Sequence, residues 1–328
     1  MRRGARRLLA PVVAVVIAAL AAGCASDAGP GGDVADRAIR VTATTNFITD
    51  LARVVGGDRV EVTGLMGPGV DPHLFKASAR DVEALREADL ILYGGLELEG
   101  RMGDLLDELS TRTTTVAVTR DIPEPALLRP AEFEGKFDPH VWFSVPLWRS
   151  AVDAVADAYA GLDPAHADGY RARAAAYRAE LDALDAHVRR RVAEIPPRSR
   201  VLVTSHDAFG YFGREYGLDV VAIQGTSTQT EATTADVERV ASVIADRGVA
   251  AVFVESAVSR QTIEAVLAAA AQRGQEARIG GELFADAAGD EGTPQGGYVG
   301  MVRHNIDLIG AGLGTGDAPS SGSAGSPG

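Results

Sequence analysis

The sequence predicts an α/β protein of two lobes, each with a parallel central sheet, joined by a long rigid backbone helix. Three observations carry this expectation: short β-branched runs alternate with amphipathic stretches from Ile39, the alternation resumes at Arg200, and one unbroken helical stretch lies between them. Strands and helices in alternation imply a parallel sheet covered on both faces. The chain of 328 residues suffices for about two ordinary domains.

Before the first strand comes a targeting pattern. Arg2, Arg3, Arg6 and Arg7 precede the uncharged run Leu8 to Ala22, whose 15 residues fall short of a comfortable membrane span of about 20. A basic start, a short apolar run and small residues at its end read as a signal peptide over residues 1–23. Cys24, the only cysteine, follows Ala-Ala-Gly and so resembles the lipobox of bacterial lipoproteins, in which that cysteine becomes the acylated N-terminus. Ala21 stands where that motif usually has leucine, with Leu20 one step earlier. Cleavage before Cys24 removes four arginines and takes the formal charge from −13 to −17. Such acidity disfavours a phosphate-gripping surface, so no nucleic acid is expected as partner. A lone cysteine also excludes an intrachain disulfide and any Cys-rich metal cluster. Residues 24–38, rich in Gly, Pro, Asp and Ala, suit a lipidated flexible tether to the membrane, and 314–328 a disordered tail.

The first lobe is expected over 39–145. Ile39–Thr44, Val60–Leu65, Leu90–Tyr93 and Thr115–Val118 read as strands, with helices near Ile48–Val55, Ser78–Glu87 and Met102–Leu109. Linking helices follow over 146–197. Within them Tyr170, Ala174, Tyr177, Leu181, Leu184 and Val188 keep helical spacing, Asp163-Pro164 supplies a start and Pro196-Pro197 a stop. An unbroken helix from Pro164 to Ala193 would be about 45 Å long at roughly 1.5 Å per residue, enough to brace both lobes. The competing possibility is a break near Gly169. The second lobe is expected over 198–313, with strands at Arg200–Thr204, Asp219–Ile223, Val249–Val254 and Ala277–Ile279 and a last helix near Tyr298–Ile309.

The six histidines fall into two groups. His166 and His187 lie in the long charged helix and His304 on the last one, where a solvated face or a cap is the expected role. His73 and His140 lie in loops, each in the tripeptide Asp-Pro-His, 67 residues apart, and His206 follows a predicted strand in Ser-His-Asp. Proline fixes the local angle, while the aspartate can accept a bond from nearby backbone or from the ring. Strand C-terminal ends are where α/β proteins place ligands. Three loop imidazoles suit zinc, manganese, iron or copper. A fourth ligand is expected from the second half: Asp286 leads, with Asp207, Glu231, Glu255, Glu282 and Asp290 open on composition alone.

Gly69-Val-Asp-Pro-His-Leu-Phe75, Tyr93-Gly-Gly-Leu-Glu-Leu-Glu99, Asp138-Pro-His-Val-Trp-Phe143, Ser205-His-Asp-Ala-Phe-Gly-Tyr-Phe212 and Gly280-Gly-Glu-Leu-Phe-Ala-Asp286 occur in this order. Together they resemble the metal-binding lipoproteins of bacterial zinc and manganese ABC importers, the cluster A-I solute-binding family, and most of all its treponemal TroA type. The resemblance covers roughly Ile39 to Leu313. It implies one metal between the lobes on His73, His140, His206 and Asp286, a permease with its ATPase as partners, an extracytoplasmic lipid-anchored monomer, and no enzymatic activity. Two departures from the family pattern bear on the metal. Asp121–Phe137 contains no histidine, unlike the His-rich loop of many zinc-dedicated relatives, and His206 stands where manganese-dedicated relatives typically have glutamate. The second departure favours zinc, with manganese next and iron third. Affinity is expected to fall as pH drops through the histidine range, near roughly 6 to 7. Two other functions compete: a zinc hydrolase using the same residues with Glu231 or Glu255 as base, and a metal-stabilised surface adhesin.

Overall fold

The computed structural model describes residues 34–133, 135–256 and 259–314; Cys24, the signal segment, most of the tether and residues 315–328 lie outside them. The last residues of the stretch read as a tether belong to the folded body. Val34–Asp36 form a short 3-10 turn whose carbonyls at Val34 and Ala35 accept from Arg59, and Arg37 pairs with Asp89 at 2.6 Å.

In the first lobe β1 (Ile39–Ala43), α1 (Asn46–Gly56), β2 (Val60–Gly64), α2 (Ala79–Glu87), β3 (Leu90–Tyr93), α3 (Gly103–Ser110) and β4 (Thr114–Ala117) follow one another. The four strands form a parallel sheet in the order β2-β1-β3-β4. Ser78 and Asp81 start α2 with a reciprocal capping box, which satisfies two otherwise orphan backbone donors. Gly64 ends β2 where a side chain would meet Thr49: an added Cβ would lie 2.7 Å from its hydroxyl.

Two helices then run between the lobes, α4 (Val145–Leu162) and α5 (Ala167–Ala193). α5 is continuous through Gly169, so the break does not occur. It starts three residues later than its proline signal, because Pro164–His166 form a 3-10 turn and the buried Asp163 gathers Arg59, Tyr170 and His166 around that corner. Every apolar position expected on its inner face is buried. α5 packs against α1 of the first lobe and α9 of the second. Arg173 donates to the last carbonyls of α1, Val55 at 2.7 Å and Gly56 at 2.8 Å, and Arg191 pairs with Asp307 of α9 at 3.1 Å. One apolar core runs from β1 through Trp148, Tyr159, Tyr170 and Leu184 to Ile309, so the lobes share an interior along the helices.

The second lobe holds β5 (Val201–His206), α6 (Gly210–Tyr216), β6 (Asp219–Gln224), α7 (Thr234–Arg247), β7 (Ala251–Glu255), α8 (Arg260–Gln272), β8 (Arg278–Leu283) and α9 (Tyr298–Leu313). Its strands form two parallel pairs, β5 with β6 and β7 with β8. The register slips between Val252 and Phe253, which face Ile279 and Gly281, so Gly280 is an extra residue on β8. A Cβ on Gly280 would lie 2.7 Å from the Phe253 ring, and Gly281 takes φ +152°. This bulge bends the strand just before it delivers Asp286. Among the described residues no helix is long and apolar enough to cross a membrane.

Candidate metal centre

Four polar side chains meet where the loops of the two lobes converge. His73 lies between β2 and α2, His140 heads the 3-10 turn Val141–Phe143 before α4, His206 ends β5, and Asp286 follows β8. All four are fully buried, and their ligand atoms lie within 4.8 Å of one another. The Nε2 atoms of His73 and His140 are 3.3 Å apart, and those of His206 and His140 3.4 Å. Asp286 places one oxygen 3.3 Å from His140 Nε2 and the other 3.3 Å from His206 Nε2 and 3.6 Å from His73 Nε2. Neither carboxylate oxygen has a conventional hydrogen bond. Nitrogen and oxygen ligands held about 2.0–2.1 Å from a tetrahedral zinc lie roughly 3.3–3.4 Å from each other. The pocket therefore has the size and donor set of a small divalent cation, and a buried carboxylate that only a cation or ring protons can satisfy.

The rings are held by different means. Asp138 accepts both the backbone N–H of His140, at 2.9 Å, and its Nδ1–H, at 2.7 Å, leaving Nε2 for the pocket. Glu255 does the same for His206: one oxygen contacts Nδ1, while the other accepts the N–H groups of Ser205 and His206 at 2.8 and 3.0 Å. His73 has no such partner, and its Nδ1 is buried without a hydrogen bond. Asp71 accepts only its backbone N–H, at 2.8 Å, and sends its second oxygen to Thr228 of the other lobe at 2.5 Å.

Trp142 joins the second and fourth positions. Its ring packs edgewise on His140 at 5.1 Å, and its Nε1–H donates to Ala285 at 3.1 Å. Asn46 of the first lobe clasps Ala288 through both amide atoms, at 2.8 and 2.9 Å. Asp286 thus comes from the second half of the chain yet rides on a loop fastened to first-lobe residues.

Electrostatics separate the histidines. Burial pushes His73 down to about 3 despite the pull of Asp286. Burial alone would lower His140 too, but the Asp138 and Asp286 carboxylates hold it up at about 9. His206 is raised well above the ordinary range because Glu255 and Asp286 outweigh its burial. Asp286 is held well below the carboxylate range, since His206 and His140 outweigh the burial that would raise it. The three rings therefore depart from the ordinary histidine range in opposite directions.

The structure brings together His73, His140, His206 and Asp286. Of the other acids open on composition, Glu231, Glu282 and Asp290 are exposed. Asp207, pushed up to about 6 by burial, stands beside the group, and Glu255 serves His206 instead of joining it. His166 pairs with Asp163, His187 lies 3.7 Å from Asp307, and His304 packs on Phe284. Sequence reasoning missed the roles of Trp142, Glu255 and Thr228. The one available signal was the pair Trp142-Phe143 beside a histidine, because a buried indole needs a partner for its N–H.

Two α/β lobes braced by a helix and closing on three imidazoles and a carboxylate present the donor set of a receptor for a small cation. The profile of the periplasmic zinc-uptake complex component A matches residues 41–312, and the chain belongs to that family of metal-binding receptors of ABC importers, which are not enzymes. It is 48% identical over 273 residues to the zinc-binding protein TroA of Treponema pallidum, covering 83% of this chain and 88% of that protein. It is 47% identical over 300 residues to the manganese-binding lipoprotein MntA of Bacillus subtilis, covering 91% and 97%. The solved structure of the periplasmic zinc-binding protein TroA superposes with a TM-score of 0.82 over 84% of this chain and 99% of that one, at 47% identity.

Proposed function

We propose that the protein captures zinc on His73, His140, His206 and Asp286 and hands it to the permease of an ABC importer. The observation that carries this reading is the buried convergence of three ring nitrogens on a carboxylate that has no conventional hydrogen bond. Two imidazoles arrive with Nδ1 held by a carboxylate, which fixes the tautomer and makes Nε2 the ligand atom. Four protein ligands fill a tetrahedral shell and leave no water to activate, which is the arrangement of a carrier.

Manganese is the second reading, favoured by the similarity to the manganese-binding lipoprotein of Bacillus subtilis; iron is third. Under the Irving–Williams order zinc outcompetes manganese at a nitrogen-rich site whichever metal the cell supplies. The domain plan proposed is a first lobe over 39–145, linking helices over 146–197 and a second lobe over 198–313. Residues 1–23 are proposed as a signal and the stretch from Cys24 up to the 3-10 turn at Val34 as the tether, with Cys24 as its lipid anchor on the extracytoplasmic face of the cell membrane. The receptor is proposed to act there as a monomer.

Competition with a chromogenic chelator tests the ligand set. Zinc affinity should collapse in both His140→Ala and Asp286→Ala; wild-type affinity in both would refute it. Metal analysis of protein purified from its native envelope, compared between zinc-starved and manganese-starved cells, then decides the metal.

A further inference from the structure

Of the three buried histidines, His73 alone has an Nδ1 without a partner among the described residues. No carboxylate braces its ring from behind, and its main chain is held by Asp71. The second oxygen of Asp71 does not stay in its own loop but accepts the hydroxyl of Thr228. Thr228 is buried, although its neighbours Gln229, Thr230 and Glu231 in the loop between β6 and α7 are exposed. The same loop leans on the first lobe at a second point, since a Cβ on Gly100 would lie 3.2 Å from the Gln229 side-chain amide. Elsewhere it faces open space: the loop residues on either side of Thr228, though not Thr228 itself, line a cavity of about 1020 Å³ together with Glu97, Glu132, Phe133 and Lys136.

We propose that Thr228 is a positioning residue for metal retention. Through Asp71 it ties the β6–α7 loop of the second lobe to the main chain of His73, so that His73 is the ligand released first when that loop moves. Moving the loop into the cavity withdraws the hydroxyl from Asp71, the Asp71–His73 turn loosens, and a ring with no carboxylate behind it leaves the metal. His140 and His206 stay in place because Asp138 and Glu255 belong to their own lobes. The inference rests on the four-ligand reading above.

The test is stopped-flow release of zinc from the loaded full chain into excess chelator. Thr228→Val should release zinc roughly tenfold faster, the scale of a lost hydrogen bond to a carboxylate. Thr228→Ser, which keeps the hydroxyl, should restore the wild-type rate, and Thr230→Val in the same loop should leave it unchanged. A wild-type rate in Thr228→Val, failure of the serine to rescue, or equal acceleration by Thr230→Val would overturn the tie. Thr228→Ala is read by the same criteria if the valine variant does not fold. His140→Ala measured alongside separates the two claims. If it keeps zinc, the ligand reading fails; if it loses zinc while Thr228→Val releases at the wild-type rate, only the tie fails.

Discussion

Asp71 and Asp138 occupy the same place in the same tripeptide, two residues before a buried histidine, and each accepts that histidine's backbone N–H, at 2.8 and 2.9 Å. There the likeness ends. Asp138 turns back onto its own ring, and its peptide carbonyl accepts from the Tyr211 hydroxyl at 2.8 Å. Asp71 turns outward to Thr228 and leaves its ring unsupported. One motif therefore gives one ring braced by its own aspartate and held up at about 9, and one ring without that brace and pushed down to about 3 by burial. A repeated motif fixes the local turn, whereas the function of each copy depends on what the fold puts next to it.

Removing either histidine is the largest test of this contrast. His73→Ala and His140→Ala should each weaken zinc binding by more than about a hundredfold, because a buried ligand contributes more than its orienting partner. Chelator competition measures this, and near-normal binding by His73→Ala would take the His73 loop out of the site.

Removing the aspartates should separate the loops. Asp138→Ala deprives the His140 ring of its acceptor and should cost about ten- to a hundredfold in affinity, whereas Asp71→Ala should cost about tenfold or less. The reverse order, read by isothermal titration, would break the comparison.

Protons give a third reading. At pH 7 His140 and His206 hold a proton in the free protein, because their folded values are raised, and His73 does not, because its value is lowered. Binding must expel the raised protons, so affinity should climb with pH by up to about tenfold per unit per proton, and His140 should stop contributing to the rise above about 9. Titrations in buffers of different ionisation enthalpy count the protons released. Asp138→Asn, which removes the charge that holds His140 up, should release fewer, and an unchanged count would contradict the assignment.

The smallest effect is expected at Tyr211, whose hydroxyl donates to the Asp138 carbonyl and accepts from the Leu128 N–H at 3.0 Å. Tyr211→Phe should cost about 1–2 kcal/mol of stability by thermal unfolding, the range for a buried hydrogen bond, and little zinc affinity. A loss of affinity as large as that of Asp138→Ala would mean that the carbonyl support, and not the carboxylate, orients the ring.

Much of the molecule was legible in the sequence because local rules govern it. Alternating strands and helices fixed the class, and the spacing of Tyr170, Ala174, Tyr177, Leu181, Leu184 and Val188 marked the buried face of α5. Asp-Pro-His marked two loop histidines, since proline and aspartate next to a histidine preset its backbone, whereas His206 of Ser-His-Asp, expected in a loop, is the last residue of β5 and pairs with Gln224. Boundaries were less legible: β8 runs on to Leu283 through a bulge that needs Phe253 as its neighbour, and α5 begins only where the Asp163 corner lets it.

The chain by itself determined which residues offer metal-ligand chemistry and that the fold is α/β in two lobes. Only the tertiary structure decided which acid joins them. It placed Asp286 in the pocket, turned Glu255 into the support of His206, and left Glu231 exposed. It also split two identical tripeptides into one that braces its own histidine ring and one that does not. The reason is physical: the turn formed by Asp-Pro-His is set within a few residues of chain. The partner of a carboxylate's second oxygen, and the burial that shifts a ring's proton affinity, come from residues as far as 157 positions away.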